Sequence, residues 1–223
     1  MNLNEKADAF HELLEGFKPE EFVAERVLSF FSAAVTVADR NLLVETLHLG
    51  KKYQVAPSWY YEIILQSYLF LGFPRMLTAA DFFDREFPDF VRPGHIGPLT
   101  LEETNRWCDE GLALCRRIYA HNYELLKNRV ERLAPDIFRW MIIEGYGKVL
   151  SRPQLDIKIR ELSIVVMLMI ENREKQLYSH LRGALNVGVT VPLLRTVIDE
   201  IGGAAGEGYL NARKMMKKLD GLR

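Results

Sequence analysis

The sequence predicts an all-α protein, and three observations carry that prediction. Apolar residues recur at helical spacing along nearly the whole chain, no segment sustains the period-two alternation of a half-buried strand, and hydroxyl residues stand where helices should begin. These signals add up to about ten helices. Taken from the N-terminus, Phe22, Val23, Arg26, Val27, Phe30 and Phe31 give the i, i+3, i+4 rhythm of one buried face. Ser58 precedes the next run, which is crowded with aromatic residues (Trp59, Tyr60, Tyr61, Tyr68, Phe70). Phe90 to Thr100 (FVRPGHIGPLT) then breaks the pattern with two prolines and two glycines, and reads as a loop inside one fused domain. Thr100-Leu-Glu-Glu103 is a capping box, in which the hydroxyl and the carboxylate each satisfy a backbone N–H left orphaned at a helix start. Ser151-Arg-Pro153 is a second break, with proline expected at the first turn of the following helix, where its missing N–H costs nothing. Leu155, Ile159, Leu162, Val166 and Met169 resume the helical stripe, Leu177, Leu181, Ala184 and Leu185 repeat it, and Thr190 caps the run after that.

Composition bounds the function classes. The 223 residues are 48% hydrophobic and 26% charged, which suits a single core-forming domain over 1–223. With 29 basic and 30 acidic side chains, the formal charge of −1 offers no excess of cations to displace counterions, so nucleic acid and anionic membranes are not expected partners. The longest apolar stretch, Leu162 to Ile170, falls short of the roughly 20 residues that span a bilayer. Met1 to Phe10 carries acidic residues and no long apolar core, so no secretory leader is expected and a cytoplasmic setting follows. Two cysteines, Cys108 and Cys115, are too few for a disulfide framework or a four-cysteine zinc site. Lying seven apart on one helix, they are held about two turns from each other and read as small apolar residues.

Neither a metal nor a cofactor is expected. His11-Glu-Leu-Leu-Glu15 lacks the second histidine of a zinc-protease helix, and His95 and His121 show no ligand spacing. Gly202 to Gly208 superficially resembles a phosphate loop, but no strand precedes it and no Lys-Ser/Thr follows; small residues permitting close helix packing are the better account. Lys214-Met-Met-Lys-Lys218 reads as a solvated final helix.

Comparison of the chain with itself reveals a degenerate repeat. Leu28-Ser-Phe-Phe, Ala38-Asp-Arg40, Leu47-His48 and Val55-Ala-Pro-Ser58 have counterparts in Leu162-Ser-Ile-Val, Glu171-Asn-Arg173, Ser179-His180 and Val187-Gly-Val-Thr190, and the offset, 132 to 134 residues, holds through Gly72 and Gly206. The simplest physical reading is two copies of one helical unit about a pseudo-two-fold axis. The first covers about 20–90, connecting helices about 91–133, and the second about 134–219. In this alignment His48 is the partner of His180, while Ser29 stands where the first copy would need a glutamate.

The chemistry-bearing residues gather in the second copy. Glu161 opens a strongly apolar helix, where a carboxylate must be paired or have a raised pKa. Its partner is either Arg160 or Arg173 in a salt bridge, or His180, nineteen residues on and across a hairpin turned by Glu171-Asn-Arg173. His180 itself is either a satisfied core histidine or a proton-transfer group. Tyr146, in Glu-Gly-Tyr-Gly, is expected at a helix end, with ordinary C-terminal glycines on either side.

The segments Tyr146-Gly-Lys-Val, Arg152-Pro-Gln-Leu-Asp156, Arg160-Glu-Leu, His180-Leu-Arg-Gly-Ala-Leu and Gly188-Val-Thr190 resemble the carboxymuconolactone decarboxylase family of the AhpD-like superfamily, over roughly Leu112 to Ala212. The resemblance implies an AhpD-like helical bundle and a ring-shaped homo-oligomer, trimeric or hexameric. It also implies a small carboxylated or lactone substrate that loses carbon dioxide and is reprotonated. Within that scheme His180 is the acid, Glu161 its orienting carboxylate and Tyr146 a hydrogen-bonding assistant, with Arg152, Arg173 and Arg182 available to hold substrate carboxylates. The peroxidase branch of the superfamily uses a Cys-x-x-Cys pair four and seven residues before the histidine; here those places hold Gln176 and Arg173, so no thiolate can form there. Two other classes of function stand beside this one: a non-catalytic scaffold or ligand-binding module, and a peroxidase working through Cys108 and Cys115, which their positions oppose.

Overall fold

The computed structural model describes residues 2–94 and 97–221, so His95 and Ile96 of the 90–100 break lie outside the described residues. Among the described residues every regular element is helical. The first five helices are α1 (Leu3–Glu15), α2 (Val23–Val37), α3 (Arg40–Lys52), α4 (Pro57–Leu71) and α5 (Phe73–Glu86). The chain continues with α6 (Leu101–Tyr119), α7 (Tyr123–Leu133) and the short α8 (Pro135–Trp140), which runs on into a π-helical segment, Met141–Leu150. It ends with α9 (Ile157–Ile170), α10 (Glu174–Val187), α11 (Val191–Ala205) and α12 (Glu207–Asp220).

Local chemistry explains most of the boundaries. Thr100 and Glu103 form the expected capping box at the start of α6. Thr190 accepts from the Leu193 N–H, and Asp39 and Asp156 cap α3 and α9 in the same manner. Two expectations move by a few residues. The fourth helix begins at Pro57 with Ala56 in the cap position, ahead of Ser58, because proline at the first helical position is already set to a helical φ. Pro153 lies in the turn before α9, whose cap is Asp156, and so does not open the helix.

Helices α2 and α9 form the centre. Every residue of α9 from Ile159 to Ile170 is buried, as is every residue of α2 from Val27 to Val37. Complete burial makes an unpartnered polar group costly, and most of those on α2 and α9 are hydrogen-bonded, whereas Arg160 Nε, Glu161 Oε1 and Ser163 Oγ have no partner among the described residues. Arg160, with no exposed surface, donates to Glu62 at 2.8 Å and to the Arg152 carbonyl at 2.8 Å. Arg152 closes a triad by donating to the same Glu62 through Nε and Nη2.

Helix starts recur at a constant spacing of 134 residues: 23 and 157, 40 and 174, 57 and 191, 73 and 207. Six of the eight positive-φ positions among the described residues follow the same spacing, Ala38 with Asn172, Gln54 with Gly188 and Gly72 with Gly206, whereas Phe22 and Ala120 have no such counterpart. Arg160 and Arg26 are separated by this spacing, and so are their partners: Arg160 reaches Gln66 of α4 at 3.4 Å and Arg26 reaches Glu200 of α11 at 2.6 Å. The register places Thr46, two residues before His48, opposite His180; His48 is over half exposed and pairs with Glu86 at 2.9 Å.

Helix α6 and the π-helical segment cross at contact distance, and glycine makes this possible on both sides. A Cβ on Gly147 would stand 1.9 Å from the Trp107 carbonyl oxygen, and one on Gly111 would stand 2.2 Å from that of Ile142. Tyr146 therefore sits in the middle of a helical segment and not at its end, and Gly147 serves this crossing rather than a helix C-terminus. Two glycines of the 202–208 stretch serve packing: a Cβ on Gly202 would meet the Tyr209 ring at 2.4 Å, and one on Gly208 the Met169 carbonyl oxygen at 1.8 Å, while a Cβ on Gly203 would meet nothing within 4 Å and Gly206 has a positive φ.

Candidate proton-transfer site

Glu161 projects from the second turn of α9 and His180 from the middle of α10; the turn between them is tight because Asn172 adopts a left-handed conformation. Across this hairpin His180 Nδ1 donates to Glu161 Oε2 at 2.9 Å. Glu161 is wholly buried and His180 is 6% exposed. Gly183, one turn after His180, leaves room for the carboxylate: a Cβ there would stand 2.8 Å from Glu161 Oε2 and 2.8 Å from Ile118 Cγ2. Phe70 of α4 meets the imidazole edge-on, with ring centroids 5.6 Å apart. The carboxylate thus fixes which imidazole nitrogen bears the inward proton, and Nε2 has no protein hydrogen-bond partner among the described residues.

Three further groups complete the buried cluster. Tyr146 from the π-helical segment and Cys115 and Tyr119 from α6 bring their polar ends together, close enough to Glu161 to feel its charge. Burial pushes the Cys115 thiol up to about 12, against a lowering hydrogen bond from Tyr146, and pushes Tyr119 up to about 12 in the same manner. Tyr146 is raised well above the usual phenol range, first by burial and then by its neighbours Tyr119 and Cys115. At neutral pH all three remain protonated donors beside a carboxylate whose second oxygen, Oε1, has no partner. Cys115 is therefore part of this polar cluster, where the sequence suggested only a small apolar residue. Its signal lay in the α6 spacing of Cys108, Cys115 and Tyr119 on one face.

The three candidate arginines do not converge on His180. Arg152 is committed to Glu62. Arg173 is 64% exposed and pairs with Glu171 at 3.4 Å. Arg182 points into a separate cavity of about 580 Å³ between α6, α7, α10 and α12, whose lining includes Ile118 and Tyr119 but neither Glu161 nor His180. Among the described residues no group of three or more His, Cys, Asp or Glu side chains is placed to hold a metal ion, and no helix is long and apolar enough to cross a membrane.

No protein-family model matches the chain. Among curated proteins the chain is similar to Peroxisomal protein 2 of Saccharomyces cerevisiae (strain ATCC 204508 / S288c), with 24% identity over 57% of this chain and 53% of that protein. The chain thus spans about half the length of the curated relative it matches.

Proposed function

We propose that this chain is a carboxymuconolactone decarboxylase-like protein in which His180, oriented by Glu161, exchanges a proton with a small carboxylated or lactone substrate. The observation that carries this reading is the 2.9 Å bond between a buried carboxylate and Nδ1 of a nearly buried imidazole, which leaves Nε2 as the working nitrogen. A positioned general acid of this kind contributes about 10²–10⁴-fold to a rate. Tyr146 and Tyr119 hydrogen-bond within their own cluster and stand close enough to Glu161 to feel its charge, so the hydrogen bond from His180 is what holds the carboxylate in the core. The reading includes a bundle made of two copies of one unit, supported by the constant helix spacing, and a trimeric or hexameric assembly in the cytoplasm. Since the relative's name is peroxisomal, a fluorescent fusion tests the compartment directly.

Turnover of unsaturated lactone acids tests the chemistry. Separate His180→Gln and Glu161→Gln variants should each lose at least about 100-fold in kcat while retaining the helical circular dichroism spectrum. Unchanged turnover in both sinks the proposal. The dispersal of Arg152, Arg173 and Arg182 favours a second reading, a ligand-binding module without catalysis, for which the same substitutions change stability and no substrate turns over.

A further inference from the structure

The cavity of about 580 Å³ between α6, α7, α10 and α12 combines two features that the Glu161–His180 cluster lacks: openness to solvent and concentrated positive charge. Its volume lies within the about 300–1,000 Å³ typical of small-molecule sites. Five cations line it, Arg129 from α7, Lys175 and Arg182 from α10, and Lys214 and Lys218 from α12, against one carboxylate, Glu174. In a chain whose formal net charge is −1 this is a local excess with no counterpart in the composition as a whole. Among the described residues none of the five is ion-paired, whereas Arg26, Arg75, Arg152 and Arg195 each have a carboxylate partner.

Arg182 is held in position without being neutralised. Its Nη2 donates to His121 Nε2 at 2.8 Å, its guanidinium lies 5.9 Å from the Tyr178 ring centroid, and the Asn122 amide, turned so that its oxygen accepts, meets it at 2.6 Å. No carboxylate is among these partners, so they orient the guanidinium while leaving its charge available. Beneath this rim the lining is apolar, with Ile118, Leu126 and Met215, and Leu125 stands 69% exposed at the edge. A concave site with an apolar floor and a cationic rim fits a ligand with one apolar body and one anionic end. It does not fit a nucleic-acid backbone, which needs an extended charged face.

We propose that this cavity binds a small amphipathic anion, an apolar chain or ring ending in a carboxylate or phosphate, with Arg182, Lys214 and Lys218 holding the anionic head and Leu125, Leu126 and Met215 covering the apolar body. The proposal does not depend on proton transfer at His180, since neither Glu161 nor His180 lines the cavity, although Tyr119 belongs to both surroundings.

Titration calorimetry on the full chain tests it with decanoate, decyl phosphate, decanol and inorganic phosphate, each below its micelle concentration. Decanoate and decyl phosphate should bind saturably, one per chain, and the tighter of the two identifies the head group. Decanol and inorganic phosphate should bind at least about tenfold more weakly, because each lacks one half of the recognition. A Lys214→Gln/Lys218→Gln variant should lose about tenfold or more for both decyl anions, and Leu125→Ser should weaken them without restoring binding of inorganic phosphate. All three side chains lie at the surface, so thermal unfolding of these variants should match the parent. Equal affinity for decanol and decanoate, unchanged affinity in the double lysine variant, or absence of saturable binding overturns the proposal.

Discussion

Arg160 and Glu161 are neighbours in sequence, both wholly buried and oppositely charged, yet they make no ion pair with each other. Successive residues on a helix point about 100° apart, so each looks for its partner in a different direction. Arg160 turns towards α4 and bonds Glu62, while Glu161 turns towards α10 and accepts from His180. One helix thereby sends two opposite charges to two different partners.

The Arg160–Glu62–Arg152 triad gives the first prediction. Removing one member of a fully buried pair leaves the other uncompensated, which typically costs about 3–5 kcal/mol. Arg160→Met should lower stability in urea unfolding by no more than the low end of that range, about 3 kcal/mol, since Glu62 would still be held by Arg152, and the joint replacement Arg160→Met/Glu62→Leu should recover a large part of the loss. A single variant as stable as the parent contradicts this account of the core.

Gly183 governs the geometry of the Glu161–His180 bond. A methyl group there would stand 2.8 Å from both Glu161 Oε2 and Ile118 Cγ2, so one of them must move. Gly183→Ala should cost about 1–3 kcal/mol in thermal unfolding. It should also shift the His180 imidazole resonances in nitrogen-15 NMR, because Nδ1 would lose its acceptor. Unaltered imidazole resonances would show that the carboxylate is not crowded at this point.

How much of this was legible in the sequence varies with the physics behind each feature. Helix content was legible because burying one face of a helix imposes a 3.6-residue rhythm on the apolar side chains, as in Leu155 to Met169. The Glu161–His180 pairing was legible as an alternative, because a hairpin brings residues on either side of one turn together. Three features were not. The π-helical course of Met141–Leu150 depends on close packing against α6, which no local propensity encodes. The pairing of Arg152 with Glu62 spans ninety residues and depends on how α4 meets α9. The 134-residue spacing of helix starts, which sets Thr46 rather than His48 against His180, was not legible because a short motif match carries no information about where the helices begin.

The two thiols should differ sharply in reactivity. Burial pushes Cys115 up to about 12, so almost no thiolate exists at pH 8, whereas Cys108 is partly exposed. A disulfide reagent at pH 8 should therefore label Cys108 alone in the native protein and both cysteines in denaturant, with mass spectrometry of the digested chain identifying the sites. Rapid native labelling of Cys115 would mean that the Tyr146 cluster opens readily to solvent.

Acid stability should depend on Glu171, at the C-terminal end of α9. Burial alone would raise this carboxyl; the hydrogen bond and charge of Arg75, 2.5 Å away, outweigh it and, with a smaller pull from Arg173, hold the group below the usual carboxylate range. A depressed native value means that the unfolded chain binds the proton first. The stabilisation is therefore fully present above the unfolded value near 4.5 and is lost as the pH falls through the lower native value. Arg75→Gln removes the cause, and its effect at pH 7 should be about 1 kcal/mol, since the pair is partly solvated and screened by salt. Urea unfolding at a series of pH values checks the sign: the difference between parent and variant should be constant from pH 6 to 8 and shrink below pH 4. A difference that grows on acidification would require Glu171 to be stabilised in its neutral form, which the Arg75 contact forbids.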